Sequence, residues 1–255
     1  MVDVIEYSKA INDVNSEVFT TAGGSSAGSQ PFDKRSDRSV ATFDVPHVLA
    51  VSFLYDLKSP IKEGFAKHIF EGFTFGGIYR IQSGAVQTPY VGGIDLNGDG
   101  NFFNDRPQIS NPNAPANSVA YSNLIAGNLV FDDTFVPSPT GFVDTNGKPI
   151  NPSSVRYLVT EDRTNLAGRN ILRGPRLNRL DLSLQRSFNL PFLPENHKFS
   201  LRADMFNAFN HPYFTPGTGD VTDSTFNDAT FNGGGITAGN VSGGRIIQFQ
   251  LRYQF

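Results

Sequence analysis

Along much of the chain, apolar and polar residues alternate one by one. The clearest stretch is Arg245 to Phe255, where Ile247, Phe249, Leu251, Tyr253 and Phe255 alternate with Gln248, Gln250, Arg252 and Gln254. A helix would repeat its apolar face every three or four residues, so this two-residue period predicts a β-strand. Five other segments carry the same period. Val2 to Lys9 is short. In FDVPHVLAVSFLYDL, the residues Val45, His47, Leu49, Val51, Phe53 and Tyr55 share one face. In FEGFTFGGIYRIQSG, Phe73, Phe75, Gly77, Tyr79 and Ile81 do so, with internal glycines suggesting close backbone approach. LNRLDLSLQRSF sets Leu180, Leu182, Leu184 and Phe188 against Arg179, Asp181, Ser183, Gln185 and Ser187, with Arg186 interrupting the apolar row. HKFSLRADMFNAF sets Phe199, Leu201, Ala203 and Met205 against Lys198, Ser200, Arg202 and Asp204.

Alternation of this kind also occurs in soluble sandwiches. The connections separate the two cases. Ala10 to Ala41, Gly84 to Leu177 and residues 210–243 are long, whereas Lys58 to Ile69 and Asn189 to Asn196 are short. In an antiparallel meander every long connection then falls at one end, as in outer-membrane barrels with short periplasmic turns and long external loops. The expected fold is all-β: an antiparallel transmembrane barrel segment of about six strands with long extracellular loops. Ile247 to Phe255 would face hydrocarbon, with terminal aromatics at the interface. Arg179, Asp181, Arg202, Asp204, Gln248, Gln250 and Arg252 would face a wet lumen. The competing reading is a soluble secreted β-sandwich that binds carbohydrate through a calcium loop.

Composition narrows the function. Among 255 residues there are 23 Phe, 8 Tyr and no Trp, with 25 Gly and 16 Pro, which suits strands separated by turns. The net charge of -3 offers no basic excess for phosphate backbones, so no nucleic-acid partner is expected. Cysteine is absent, which removes disulfides and thiolate metal sites. No apolar run is long enough for a transmembrane helix. The start lacks the pattern of a signal peptide, so the chain is expected to begin partway through a larger barrel.

One stretch has the look of a ligand site. In DLNGDGNFFND, Asp95, Asn97, Asp99 and Gly100 stand at the spacing of positions 1, 3, 5 and 6 of an EF-hand loop. Arg106 occupies position 12, with Asp105 one place early. Two readings stay open: a weak calcium site formed by Asp95, Asn97, Asp99 and Asp105, or an Asx-rich turn. No other cofactor is expected. Arg163, Arg169, Arg173, Arg176 and Arg179 could line a vestibule that binds an anionic or sugar ligand, but the favoured expectation is that they pair with lumen carboxylates such as Asp181 and Asp204. His47, His68, His197 and His211 have no metal-binding spacing, and no catalytic motif is present, so no enzymatic activity is expected.

The segments FDVPHVLAVSFLYDL, GGIYRIQSG, DLNGDGNFFNDRP, GRNILRGPRLNRLDLSLQRSF, LRADMFNAFNHPYF and IIQFQLRYQF occur in that order. Together with YSKAIND they resemble the C-terminal barrel of a TonB-dependent outer-membrane receptor of the Oar-like type, which carries a carboxypeptidase-regulatory-like sandwich at its N-terminus. The resemblance implies that residues 1–255 are part of a 22-stranded barrel whose plug, TonB box and sandwich lie outside this sequence. It implies a transport role in the outer membrane, with outer-membrane lipid, the barrel-assembly machinery and, through the missing plug, TonB as partners. Phe249, Leu251, Tyr253 and Phe255 would be the residues read by the assembly machinery.

Overall fold

A computed structural model describes residues 2–13, 34–58, 72–130, 135–189, 197–212, 214–215, 217–228, 230–231 and 244–255. The 20–30 stretch, the 59–69 and 190–196 connections, His68 and Gly233 to Gly235 lie outside the described residues.

The six alternating segments become six strands: β1 (Val2–Tyr7), β2 (His47–Leu57), β3 (Phe73–Gln82), β4 (Leu177–Phe188), β5 (Lys198–Phe206) and β6 (Ile246–Gln254). They pair in sequence order as one antiparallel sheet, each strand beside its chain neighbour. Alternation sets the register, because a one-residue slip would turn every apolar side chain to the other face. Leu184, for example, stands between Phe75 and Ala203, and Ala203 stands opposite Phe249. One face therefore carries Leu49, Val51, Phe53, Tyr55, Phe75, Tyr79, Leu182, Leu184, Leu201, Met205, Phe249 and Leu251. The other carries Thr74, Arg80, Asp181, Ser183, Gln185, Arg202, Asp204, Gln248 and Gln250.

The strand ends segregate as the connection lengths predict. Tyr7 lies opposite His47, Leu177 opposite Gln82, and Phe206 opposite Ile246, so all three long connections leave from one end. Their interior differs from the expected loops. They fold together into a cap with a four-stranded sheet of Gln108–Ile109, Tyr157–Val159, Val119–Ser122 and Phe142–Val143. Tyr121, Val143, Tyr157 and Val159 form its dry core with Val91, Ile94 and Leu172, and the third connection contributes Val221 and Phe226. The Tyr157 and Phe226 rings meet edge to face with centroids 5.5 Å apart. Gly84 lies where the second connection leaves the sheet; a Cβ there would stand 2.0 Å from the Gly174 carbonyl oxygen. Only glycine admits that approach.

Candidate functional site

The apolar face of the six-stranded sheet is uncovered. Phe249 is 80% exposed and Leu251 67%, although both lie mid-strand with paired backbones. A sandwich would bury this face against a second sheet. Here it has a layered chemistry instead. At the short-connection end, Phe188 stacks on Phe199, Phe199 on Tyr253, and Tyr253 contacts Phe255 and His197. Arg186, which interrupts the apolar row in sequence, lies over the Phe73 and Phe188 rings at 5.2 and 5.5 Å. Its charge is thus held by aromatic faces rather than inserted among aliphatic side chains. At the long-connection end Tyr7 meets His47, and Tyr79 meets Phe209 edge to face. Between these rims lie Leu49, Val51, Leu182, Leu184, Leu201 and Met205. From Leu180, opposite Tyr79, to Phe188 the strand climbs about 26 Å, or roughly 20 Å of height at a barrel strand's tilt. That is close to the apolar band of a transmembrane barrel.

Gly77 belongs to this face. A Cβ at Gly77 would come within 2.7 Å of the Phe53 ring and 2.9 Å of the Asp181 carbonyl oxygen, so the ring packs over bare backbone.

The polar face holds every residue expected to face the lumen. Arg179 donates to Asp181 and Arg202 to Asp204, each at 2.8 Å. Asp181 also accepts from the Asn207 N–H, which fixes the exit from β5. Gln248 lies opposite Asp204, Gln250 opposite Arg202 and Arg252 opposite Ser200. A groove of about 530 Å³ crosses this face, with Leu54 and Ile78 on one side and Asp181, Gln185, Arg202 and Asp204 on the other.

The remaining arginines do not reach the lumen carboxylates, contrary to expectation. Arg163 pairs with Asp105 at 2.7 Å and Arg173 with Asp44 at 3.0 Å, both within the cap. Arg169 donates to the Asp37 carbonyl and to Asn12. Arg106 pairs with Asp37 at 3.1 Å and is itself buried, so burial pulls its pKa down against the opposing pull of Asp37. The contacts of Arg106, Arg169 and Arg173 join the first connection to the second, whereas Arg163–Asp105 lies within the second. Sequence spacing gave no sign of them, since the partners are tens to more than a hundred residues apart.

The Asp95 to Asp105 loop is wound around its own carboxylates. Asp95 accepts from the N–H groups of Gly98, Asp99 and Gly100. Asn97 accepts from the Asp99 N–H, and Asp99 from that of Asn101. Burial tends to raise the Asp99 pKa, but hydrogen bonds led by the Asn104 side chain outweigh it and hold the carboxyl below its ordinary value. Asp105 is fully enclosed and accepts from the Leu96 N–H at 2.6 Å; burial is the main reason its pKa is raised. Its second oxygen meets Arg163 as an ionic contact outside hydrogen-bonding alignment. Among the described residues no three His, Asp or Glu side chains converge as metal ligands. His211 shapes the strand exit, exchanging two hydrogen bonds with Asn207.

The aromatic rim at the long-connection end escaped the sequence reading. Its signal was present in the aromatics at matching strand ends, but it becomes visible only when the strands are set in register.

No curated protein and no solved structure matches the chain significantly. A family model described as "Outer membrane beta barrel domain" matches residues 6–248. With its exposed apolar band and all-β architecture, the chain belongs to the outer membrane beta barrel domain family and resides in the outer membrane.

Proposed function

We propose that this chain forms barrel wall and outer cap in a TonB-dependent receptor of the Oar-like type, and that it catalyses no reaction. The observation that carries the reading is the gathering of all three long connections into one folded cap, at one end of a sheet with an apolar band outside and a charged groove inside. Barrels carry their longer connections outside the cell, so the cap meets solutes first and the polar face borders their path. The row Phe249, Leu251, Tyr253 and Phe255 serves as the assembly signal on β6. The order of motifs shared with Oar-like receptors supports the narrower assignment.

Two experiments test it. The full-length protein, purified from its own outer membrane, is expected to capture the periplasmic domain of TonB; failure to bind would overturn the TonB-dependent reading. For orientation, a Phe103→Cys variant on intact cells is expected to react with a membrane-impermeant maleimide. Residues 1–255 contribute no native cysteine, and cells carrying the unsubstituted protein give the background labelling. Labelling only after lysis would place the cap on the wrong side.

A further inference from the structure

The outward face ends, beneath the cap, in a row of a different character. Tyr7 lies opposite His47. Gln82 pairs with both Val48 and Leu177, so one step outward Ser83 stands between His47 and Arg176; the Ser83 N–H donates to the His47 carbonyl at 3.0 Å. Across these adjacent positions an exposed phenol, imidazole and guanidinium are presented, while Ser83 between them is itself buried. The next row towards the band is Ile5, Leu49 and Ile81, ending at Asn178 on β4. Both rows line one groove of about 420 Å³; its described lining also includes Glu6, Val48 and Gln82, which stand level with one another at the alternate strand positions. Arg176 is exposed, and the described ion pairs engage Arg106, Arg163, Arg173, Arg179 and Arg202 but not Arg176.

We infer that this groove holds the phosphate of an anionic membrane lipid, with Arg176, His47 and Tyr7 around the headgroup and Ile5, Leu49 and Ile81 along the first acyl carbons. Charge and level argue for a lipid. The donors sit at the rim of a face that is already the membrane interface, and the apolar row lies on the hydrocarbon side of them. A guanidinium and an aromatic at this height match how such residues anchor at membrane surfaces. The leaflet concerned is the outer one, and that placement rests on the cap orientation proposed above.

The test titrates detergent-solubilised full-length protein with fluorescent phosphatidylglycerol, with phosphatidylcholine and with inorganic phosphate. Phosphatidylglycerol is expected to bind preferentially, and Arg176→Gln to weaken it about fivefold, the effect of one basic residue near a lipid surface. Arg252→Gln, on the polar face, is expected to leave binding unchanged. Tyr7→Leu, which keeps the bulk and removes the hydroxyl, gives an independent reduction if Arg176→Gln impairs folding. Equal binding by wild type and both rim variants would overturn the site, and full competition by inorganic phosphate would overturn the lipid as its ligand. If Phe103→Cys shows the cap to be periplasmic while Arg176→Gln still weakens binding, the site stands and only its leaflet changes.

Discussion

In the cap, Tyr157 and Val159 are enclosed by residues from two connections, and the Tyr157 ring meets Phe226 from nearly seventy positions away. In the sheet, Phe249 and Leu251 belong to equally regular structure and lie bare. Among the described residues, every fully buried hydrophobic side chain is in the connections and none is in the six strands. The cap is built as a water-soluble protein is, around its own core. The sheet has its apolar atoms on the outside and relies on lipid to cover them. The contrast teaches that burial in one chain has to be judged against the solvent of each region.

Changes to the cap core should break the contrast most strongly. Tyr157→Ala is expected to cost about 3–5 kcal/mol, the usual price of removing an enclosed aromatic. Loss of near-ultraviolet circular dichroism and faster proteolysis of the cap should follow, while the sheet keeps its heat-modifiable migration in gels. Collapse of both regions together would show that cap and sheet are a single cooperative unit.

The sheet should respond to the opposite chemistry. Phe249→Arg, level with Leu184 midway between the two aromatic rims, is expected to destabilise the inserted protein by about 2–4 kcal/mol, whereas Gln250→Arg, one residue away, should cost little. Urea unfolding in lipid vesicles measures both. Equal costs would mean that neither face meets hydrocarbon.

Alkali should loosen the cap selectively. Burial pushes the Tyr121 phenol up to about 12 from 10.0, with the nearby Asp220 charge adding to the rise. A raised folded pKa means that the unfolded chain releases this proton first. The associated stability is therefore complete below pH 10 and lost as pH rises towards 12. The shift corresponds to roughly 2–3 kcal/mol. Burial also raises Tyr90 and Tyr157, so tyrosinate absorbance followed with pH should show a late-ionising group of tyrosines as the cap opens, and a Tyr121→Phe variant should lose the latest part of that amplitude.

The smallest effect is expected on the polar face. Arg202 is nearly half exposed, so Arg202→Gln should change stability by no more than about 1 kcal/mol despite the 2.8 Å contact with Asp204. A larger loss would mean that this face is drier than a water-filled lumen.

The sheet was legible in the sequence because one short period repeated six times, and Leu184, Ala203 and Phe249 had only one register in which to share a face. The cap was not. Its strands are two to four residues long, too short for any period to show, and its Gly, Asn and Asp read as loop. Tyr121 and Val221 form one core from a hundred residues apart, and only the folded chain brings them together. Arg186 shows the same limit at smaller scale: its place in the apolar row made sense once Phe73 on the neighbouring strand stood under it. The Asp95 to Asp105 stretch was recognisable as a tight acidic turn, while the enclosure of Asp105 by Arg163 and the Leu96 N–H depends on distant packing.

The central claim is that the odd-numbered row of β6 faces lipid and the even-numbered row faces water. Single cysteines placed in turn from Ile247 to Tyr253 of the otherwise cysteine-free chain can carry nitroxide spin labels in the full-length protein reconstituted in lipid bilayers. Power saturation then reports collision with oxygen, which concentrates in lipid, and with a nickel chelate, which stays in water. The account predicts oxygen access at 247, 249, 251 and 253 and nickel access at 248, 250 and 252. A flat profile, or one in which Phe249 and Leu251 respond to nickel, would contradict it.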